Sequence, residues 1–96
     1  MNIQEMLKQA QDMQERLQQE LSQTEIEATS GGGMVTVVMN GRKQMKRIII
    51  DPEVVSKDDV EMLQDLIIAA INDAQRRVDE AVASKMGGLK IPGLTG

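Results

Sequence analysis

The stretch Ser56–Met86, SKDDVEMLQDLIIAAINDAQRRVDEAVASKM, constrains this chain more than any other. Its apolar residues recur at Val60, Leu63, Ile67, Ala70, Ala74, Val78 and Ala81. That is a helical period, not an alternating one. Ser56 is placed to cap the helix, with Asp59 at capping-box distance. Asp58, Asp59 and Glu61 suit the positive end of the helix dipole, and Gly87-Gly88 supplies a stop. From Met62 to Ile71 the helix is apolar on most of its circumference and needs cover on most of it. From Asn72 onward the apolar stripe narrows to Ala74, Val78, Ala81 and Val82. Roughly 30 helical residues reach about 45 Å, more than the width of a small domain. The expectation is that the broad end is buried and the narrow end projects, with a second chain as cover.

A second amphipathic helix is predicted over about 3–21. Asn2 can cap it, and Ile3, Met6, Leu7, Ala10, Met13, Leu17 and Leu21 form a near-heptad stripe between Gln-rich flanks. Such a stripe packs on another helix: the far end of the long helix is the sharper expectation, the chain's own sheet the plainer one. Alternation predicts a half-exposed strand over about 23–30, and two more strands over about 34–40 and 45–51. Gly31-Gly32-Gly33 lacks the lysine and the strand-to-helix setting of a phosphate loop and reads as a flexible strand-to-strand connection. Asn40-Gly41 opens a hairpin turn. One sheet face would gather Val35, Val37, Met39, Ile48 and Ile50, and the other Met34, Val38, Met45 and Ile49. A sheet apolar on both faces is covered twice, once by the long helix and once by a partner chain. Residues 87–96, glycine-rich and without periodicity, read as a mobile tail after a single domain over 1–86.

Composition removes several function classes. The chain has no Cys, His, Trp, Tyr or Phe. Disulfides, a nucleophile–imidazole pair and the common zinc sites are therefore excluded. Eight methionines serve as adaptable apolar filler. No run approaches the roughly 18 apolar residues of a membrane span, and the N-terminus does not read as a signal peptide. A cytoplasmic location is expected. The carboxylates Asp51, Glu53, Asp58, Asp59, Glu61, Asp65 and Asp73 sit at a helix start and along a helical face, where capping and solvation account for them. No catalytic partner stands near them in the sequence, so neither an enzyme nor a cofactor or metal site is expected.

The net charge is -4, which by itself argues against a generic nucleic-acid binder. Its distribution is more telling. Residues 24–50 hold Arg42, Lys43, Lys46 and Arg47 against Glu25 and Glu27 alone, whereas carboxylates dominate residues 51–80. Lys8–Asp12–Arg16–Glu20, Asp73–Arg77 and Arg76–Glu80 have the i,i+4 spacing of ordinary helix-surface pairs. That spacing explains Lys8, Arg16, Arg76 and Arg77 without a ligand. It leaves Arg42, Lys43, Lys46 and Arg47 on a hairpin, and Lys85 and Lys90 near the C-terminus, as cations able to reach phosphates. A solvated hairpin is the alternative reading of the same residues.

Three blocks carry a resemblance: GGGMVTVVMNG (Gly31–Gly41), IIIDPEVV (Ile48–Val55) and DVEMLQDLIIAAINDAQRRV (Asp59–Val78). With the Met- and Gln-rich start and the Gly-Leu-Pro tail, the chain resembles the bacterial YbaB/EbfC family of small nucleoid-associated proteins over nearly its whole length. Gln64 stands where the family pattern has an acidic residue, and Arg42-Lys43-Gln44 makes the turn more basic than usual. The resemblance implies an α+β fold: an α-β-β-β-α protomer with a three-stranded antiparallel sheet and a long C-terminal helix, dimerising with projecting helical arms. It implies binding of double-stranded DNA with low sequence specificity, altered DNA conformation, and roles in nucleoid organisation, gene expression and DNA protection. Replication or recombination proteins are further partners that it suggests. It places DNA contacts on the arms, hence Lys8, Arg16, Arg76, Arg77 and Lys85, where the charge pattern favours Arg42, Lys43, Lys46 and Arg47. Met34, Val38, Ile49, Leu66, Ile67 and Ile71 are the expected dimer-interface residues. The competing reading is a dimeric adaptor whose arms grip a protein partner without touching DNA.

Overall fold

A computed structural model describes residues 2–86; the expected tail at 87–96, with Lys90, lies outside the described residues. The order of elements is α1 (Ile3–Gln23), β1 (Glu25–Ser30), β2 (Val35–Asn40), β3 (Met45–Ile50) and α2 (Val60–Met86), with short 3-10 turns at Gly31–Gly33 and Pro52–Val54. The three strands form one antiparallel sheet in the order β1-β2-β3. The α-β-β-β-α order and the α+β class are those expected.

Helix starts are set by side chains that satisfy orphan amides. Asn2 Oδ1 accepts from the Glu5 amide at 2.7 Å, as its sequence position suggested. The long helix starts later than expected. Asp59 Oδ1 accepts from the Met62 amide at 3.2 Å and is the cap, while Ser56 Oγ accepts from the Asp58 amide in the turn before it.

The core lies between α2 and one face of β1 and β2. Ala28, Val35, Val37 and Met39 meet Ala70, Ala74 and Val78, and all seven are buried. Small residues at 70 and 74 let the helix axis approach the sheet closely, and Leu63, Leu66, Ile67, Ile71 and Val82 flank the seam. Packed from Leu63 to Val82, α2 lies along the body with no free half. The expectation that its narrow end projects is thus corrected: Val78 and Val82 are in the packed seam, and Val60, Met62 and Ile68 near its start stay exposed. The element that projects is α1. It has no buried residue, and Ile3, Met6, Leu7 and Met13 are all more than half exposed. Within the protomer its stripe is uncovered from Ile3 to Met13. Only Leu17, Leu21 and Ser22 are half-buried, where the end of the helix meets the body.

The sheet faces also differ from expectation. A bulge between Val38 and Met39 pairs Val38 with Arg47 but Met39 with Met45, leaving Lys46 as the extra residue. One inserted residue reverses the parity of the strand beyond it. Met45 therefore joins the α2 side, and Met34 lies in the turn before β2. The far face carries Glu25, Glu27, Thr29, Thr36 and Arg47 with only Val38 and Ile49 as apolar members. It is not the doubly apolar sheet anticipated. Val38 is buried within the protomer, whereas β3 is exposed at every position but Ile50, because α2 spans β1 and β2 and not β3.

The glycine triplet is a strand connection, with a defined geometry. Gly31, Gly32 and Gly33 have φ of 60°, 70° and 94°, a left-handed run that side chains resist. At Gly31 a Cβ would also stand 2.7 Å from Leu66 Cδ2. Ser30 Oγ donates to the Leu66 carbonyl at 2.6 Å beside it. This end of the sheet is tied to the first half of α2.

Candidate nucleic-acid interface

The opposite end of the sheet gathers the basic residues. Three elements converge there: the β2–β3 hairpin, the last turn of α1 and the C-terminal half of α2. The hairpin is held by Asn40, the only buried polar side chain among the described residues. Its Oδ1 accepts from the amides of Arg42 (2.9 Å) and Gln44 (3.0 Å), and its Nδ2 donates to Gln44 Oε1 (2.8 Å) and the Ser22 carbonyl (3.4 Å). The Asn40 amide donates to the Gln44 carbonyl, closing the loop. The Asn-Gly pair opens the turn as expected, but the left-handed residue is Lys43 (φ 63°), not Gly41. Sequence reasoning missed Asn40 as the anchor. The available sign was an Asn-Gly step followed by a second amide side chain at Gln44.

The hairpin cations are not all free, which corrects the expectation drawn from local spacing. Lys43 Nζ meets Asp79 Oδ1 at 2.8 Å across to α2, and Arg47 Nη1 meets Glu25 Oε1 at 3.4 Å across the sheet. Arg42 and Lys46 have no carboxylate within ion-pair distance among the described residues. The bulge gives Lys46 its separate position in the strand.

On α2, Arg76 bonds Asp73 and reaches Glu80 at 2.7 Å, while Arg77 Nε donates to Asp73 Oδ2 at 2.8 Å. The hydrogen bonds from Arg77 and then Arg76 hold the Asp73 carboxyl below the usual Asp range, and the bond to Asp73 raises Arg76 in turn. These two arginines already have carboxylate partners. Lys85 Nζ lies 3.4 Å from Thr24 Oγ1 and 3.9 Å from Glu20 Oε2, which ties the end of α2 to the end of α1. On α1 the expected ladder does not close: Lys8 and Arg16 have no ion-pair partner among the described residues, and Glu20 turns to Lys85 instead.

Among the described residues, four cations at the hairpin end and along the arm that leaves it thus have no ion-pair partner: Lys8, Arg16, Arg42 and Lys46. The far end of the body holds Asp51, Glu53, Asp58, Asp59, Glu61 and Asp65, against Lys57. The far end of the body is thus the more acidic one, while α1 itself carries Glu5, Asp12, Glu15 and Glu20 beside its two cations. Two surface depressions lie along Gln11, Gln14, Glu15, Gln18 and Gln19 of α1 and at Asp59, Glu61, Met62, Asp65, Leu66 and Ala69. Neither is lined by a basic side chain. No group of three or more acidic side chains suited to a metal occurs among the described residues, and no described helix is long and apolar enough to cross a membrane.

Residues 1–94 match the model of the YbaB/EbfC DNA-binding family. The chain belongs to this family. A nucleoid-associated protein of Thermoanaerobacter pseudethanolicus is 56% identical over 100 residues, covering 97% of this chain and 90% of the relative. Another from Koribacter versatilis is 55% identical over 96 residues, covering 96% and 95%. Among solved structures, the crystal structure of an uncharacterized protein from Helicobacter pylori is similar, with a TM-score of 0.76 at 25% identity over 93% of this chain and 97% of that one. For a YbaB/EbfC chain a basic hairpin end and a projecting helix are the features to weigh. Of the six residues expected at a dimer interface, Met34 and Ile49 are exposed, Leu66, Ile67 and Ile71 are half-buried along α2, and Val38 is covered within its own protomer.

Proposed function

We propose that this protein is a nucleoid-associated homodimer that binds double-stranded DNA with low sequence specificity, mainly through phosphates, and alters DNA conformation. Roles in nucleoid organisation, gene expression and DNA protection follow from such binding. The observation that carries this reading is the set of cations with no ion-pair partner among the described residues, Lys8, Arg16, Arg42 and Lys46, on a projecting arm and the hairpin at its root. Phosphates attract cations that have no competing partner, and their charge carries no base information. The partnered cations Lys43, Arg47, Arg76, Arg77 and Lys85 are weaker contributors, because each must first leave a carboxylate. Lys90, outside the described residues, is a further candidate contributor. The absence of Phe, Tyr and Trp removes base stacking, so duplex is favoured over single strands. This reading is of a binding protein, not an enzyme, and it invokes no cofactor.

Dimerisation is supported by the apolar stripe of α1. A 21-residue amphipathic helix with no buried residue gains little from its own protomer. A second copy is the natural cover, with Leu66, Ile67, Ile71, Met34 and Ile49 as additional contact candidates on the body. The location follows from the ligand: the nucleoid, in the cytoplasm.

The test is a gel-shift titration against random duplex at two salt concentrations. Phosphate binding releases counterions, so affinity must fall steeply with salt. Salt-independent binding, or none at low salt, rejects the reading. One observation favours a second reading: Met6 and Met13 stand exposed on the α1 stripe, and methionine surfaces adapt to varied protein partners. In that reading the dimer is an adaptor whose arms hold a replication or recombination protein. Failure to shift duplex at low salt would support it.

A further inference from the structure

The arm is attached to the body at its C-terminal end, by the hairpin and by Lys85 of α2. Along α1 only Leu17, Leu21 and Ser22 are even half-buried, and everything before them is exposed. At the attachment, the Gly41 amide donates to the Leu21 carbonyl at 2.7 Å and to the Thr24 carbonyl at 3.1 Å. Gly41 is not left-handed, so its glycine character has another cause. A Cβ at this position would stand 2.8 Å from the Leu21 carbonyl oxygen and 3.0 Å from Leu21 Cα. Only glycine lets the hairpin and the end of the helix approach this closely. Asn40, next in the chain, links the same two parts: its oxygen holds the Arg42 and Gln44 amides, and its nitrogen reaches the Ser22 carbonyl.

We propose that Asn40 and Gly41 form a joint that fixes the direction of α1 relative to the hairpin. They are positioning residues, which hold the arm cations Lys8 and Arg16 and the hairpin cations Arg42 and Lys46 in one arrangement for a single duplex. The role in DNA binding rests on the function proposed above; the joint itself does not. The chemistry requires an amide at position 40. One face must accept from two backbone amides and the other must donate, and only Asn or the longer Gln offers both. An aspartate would keep both acceptor contacts and lose both donor contacts, setting a carboxylate against the Ser22 carbonyl. Asn40→Asp therefore cuts the side-chain link from Asn40 to the arm while leaving the loop half of the network. Gly41→Ala attacks the same joint from the other side by steric overlap with Leu21.

The chain lacks cysteine, so Gln9→Cys on the arm and Glu53→Cys at the far end of the body permit a clean spin-label pair. Labelled protein is diluted into excess unlabelled protein, so that only distances within a protomer are read. Without DNA, the parent should give one narrow distance distribution, and Asn40→Asp or Gly41→Ala a displaced or broadened one. Binding groups held in their bound arrangement lose less freedom on binding. Loosening the joint should then weaken duplex binding several-fold. Should both variants fail to fold by circular dichroism, hydrogen exchange on the unaltered protein decides. A closed joint protects the Gly41 amide alongside the Val37 amide of the core strand, whereas fast exchange at Gly41 overturns the proposal. Unchanged distances in the variants overturn the joint. Changed distances with unchanged duplex affinity overturn its role in DNA binding. Parent protein that does not bind duplex defeats the proposed function and that role together, while the distances, measured without DNA, still decide the joint.

Discussion

Replacing Arg42 and Lys46 together with alanine should flatten the salt dependence of duplex binding, and replacing Arg76 and Arg77 should scarcely change it. The difference arises from their partners. Arg42 and Lys46 face solvent with no carboxylate nearby among the described residues, so a phosphate is their first counter-charge. Arg76 and Arg77 share Asp73, and Arg76 also holds Glu80. To reach DNA they must release carboxylates that would then repel it. Each phosphate neutralised contributes about 0.9 to the slope of log affinity against log salt. Two lost contacts lower its magnitude by about 1.8 if one hairpin engages, and by about 3.6 if both hairpins of a dimer touch one duplex. With one hairpin, the unaltered protein loses about twelvefold more affinity than the variant between about 50 mM and about 200 mM salt. Fluorescence anisotropy of a labelled random duplex across that range measures both slopes. Equal slopes for the parent and the Arg42/Lys46 variant would refute the assignment of the hairpin. A slope lost only in the Arg76/Arg77 variant would move the contacts to α2.

Three further outcomes are expected. Gly31→Ala should lower stability by about 1–2 kcal/mol in urea unfolding, since φ is 60° and the new methyl meets Leu66; an unchanged midpoint would show that the turn relaxes freely. Leu7→Glu with Met13→Glu should convert a dimer into single protomers in light scattering, and parent protein that is already a compact protomer at micromolar concentration contradicts α1 as the interface. Asp73 should titrate below the ordinary Asp range in an NMR pH series, because Arg77 and Arg76 hold its ionised form. A depressed native pKa means that its contribution to stability is complete above the unfolded-state value and is lost as pH falls through the native one. Asp73→Asn should therefore reduce the acid sensitivity of unfolding, and an Asp73 that titrates normally would rule the coupling out.

The parts of this fold that depend on neighbours in sequence were legible. Asn2 lies three residues before the amide it caps, and Ala70, Ala74 and Val78 follow the helical period that puts them on one seam. Alternation placed Val35, Val37 and Met39 on the buried face. The misread parts depend on distant neighbours. The bulge at Val38/Met39 changes the parity of β3 without altering its composition, so Met45 was assigned to the wrong face. Lys43 looked free because its partner, Asp79, is on another element, and Arg47 because Glu25 is two strands away. The stripe of α1 showed that the helix wants cover but not that its own protomer withholds it. The same limit applied to the candidate site. Basic residues around residues 42–47 could be counted, whereas which of them remain unclaimed is a property of the assembled sheet and helix. Asn40 read as a turn former, and its burial emerges only when the end of α1 closes over the hairpin.

Asn-Gly is a chemically fragile step, because the glycine nitrogen can attack the asparagine side-chain carbon and expel ammonia through a cyclic imide. Here that nitrogen is engaged by two carbonyls, those of Leu21 and Thr24, and both ends of the Asn40 amide are occupied. Cyclisation needs a backbone rotation that these bonds forbid, so the folded molecule shelters its most perishable bond. Ageing of the protein should follow the time it spends open: the mass gain of deamidation at Asn40 should build up in urea and not in native buffer. Equal rates in both would mean that the loop opens far more often than its bonds imply.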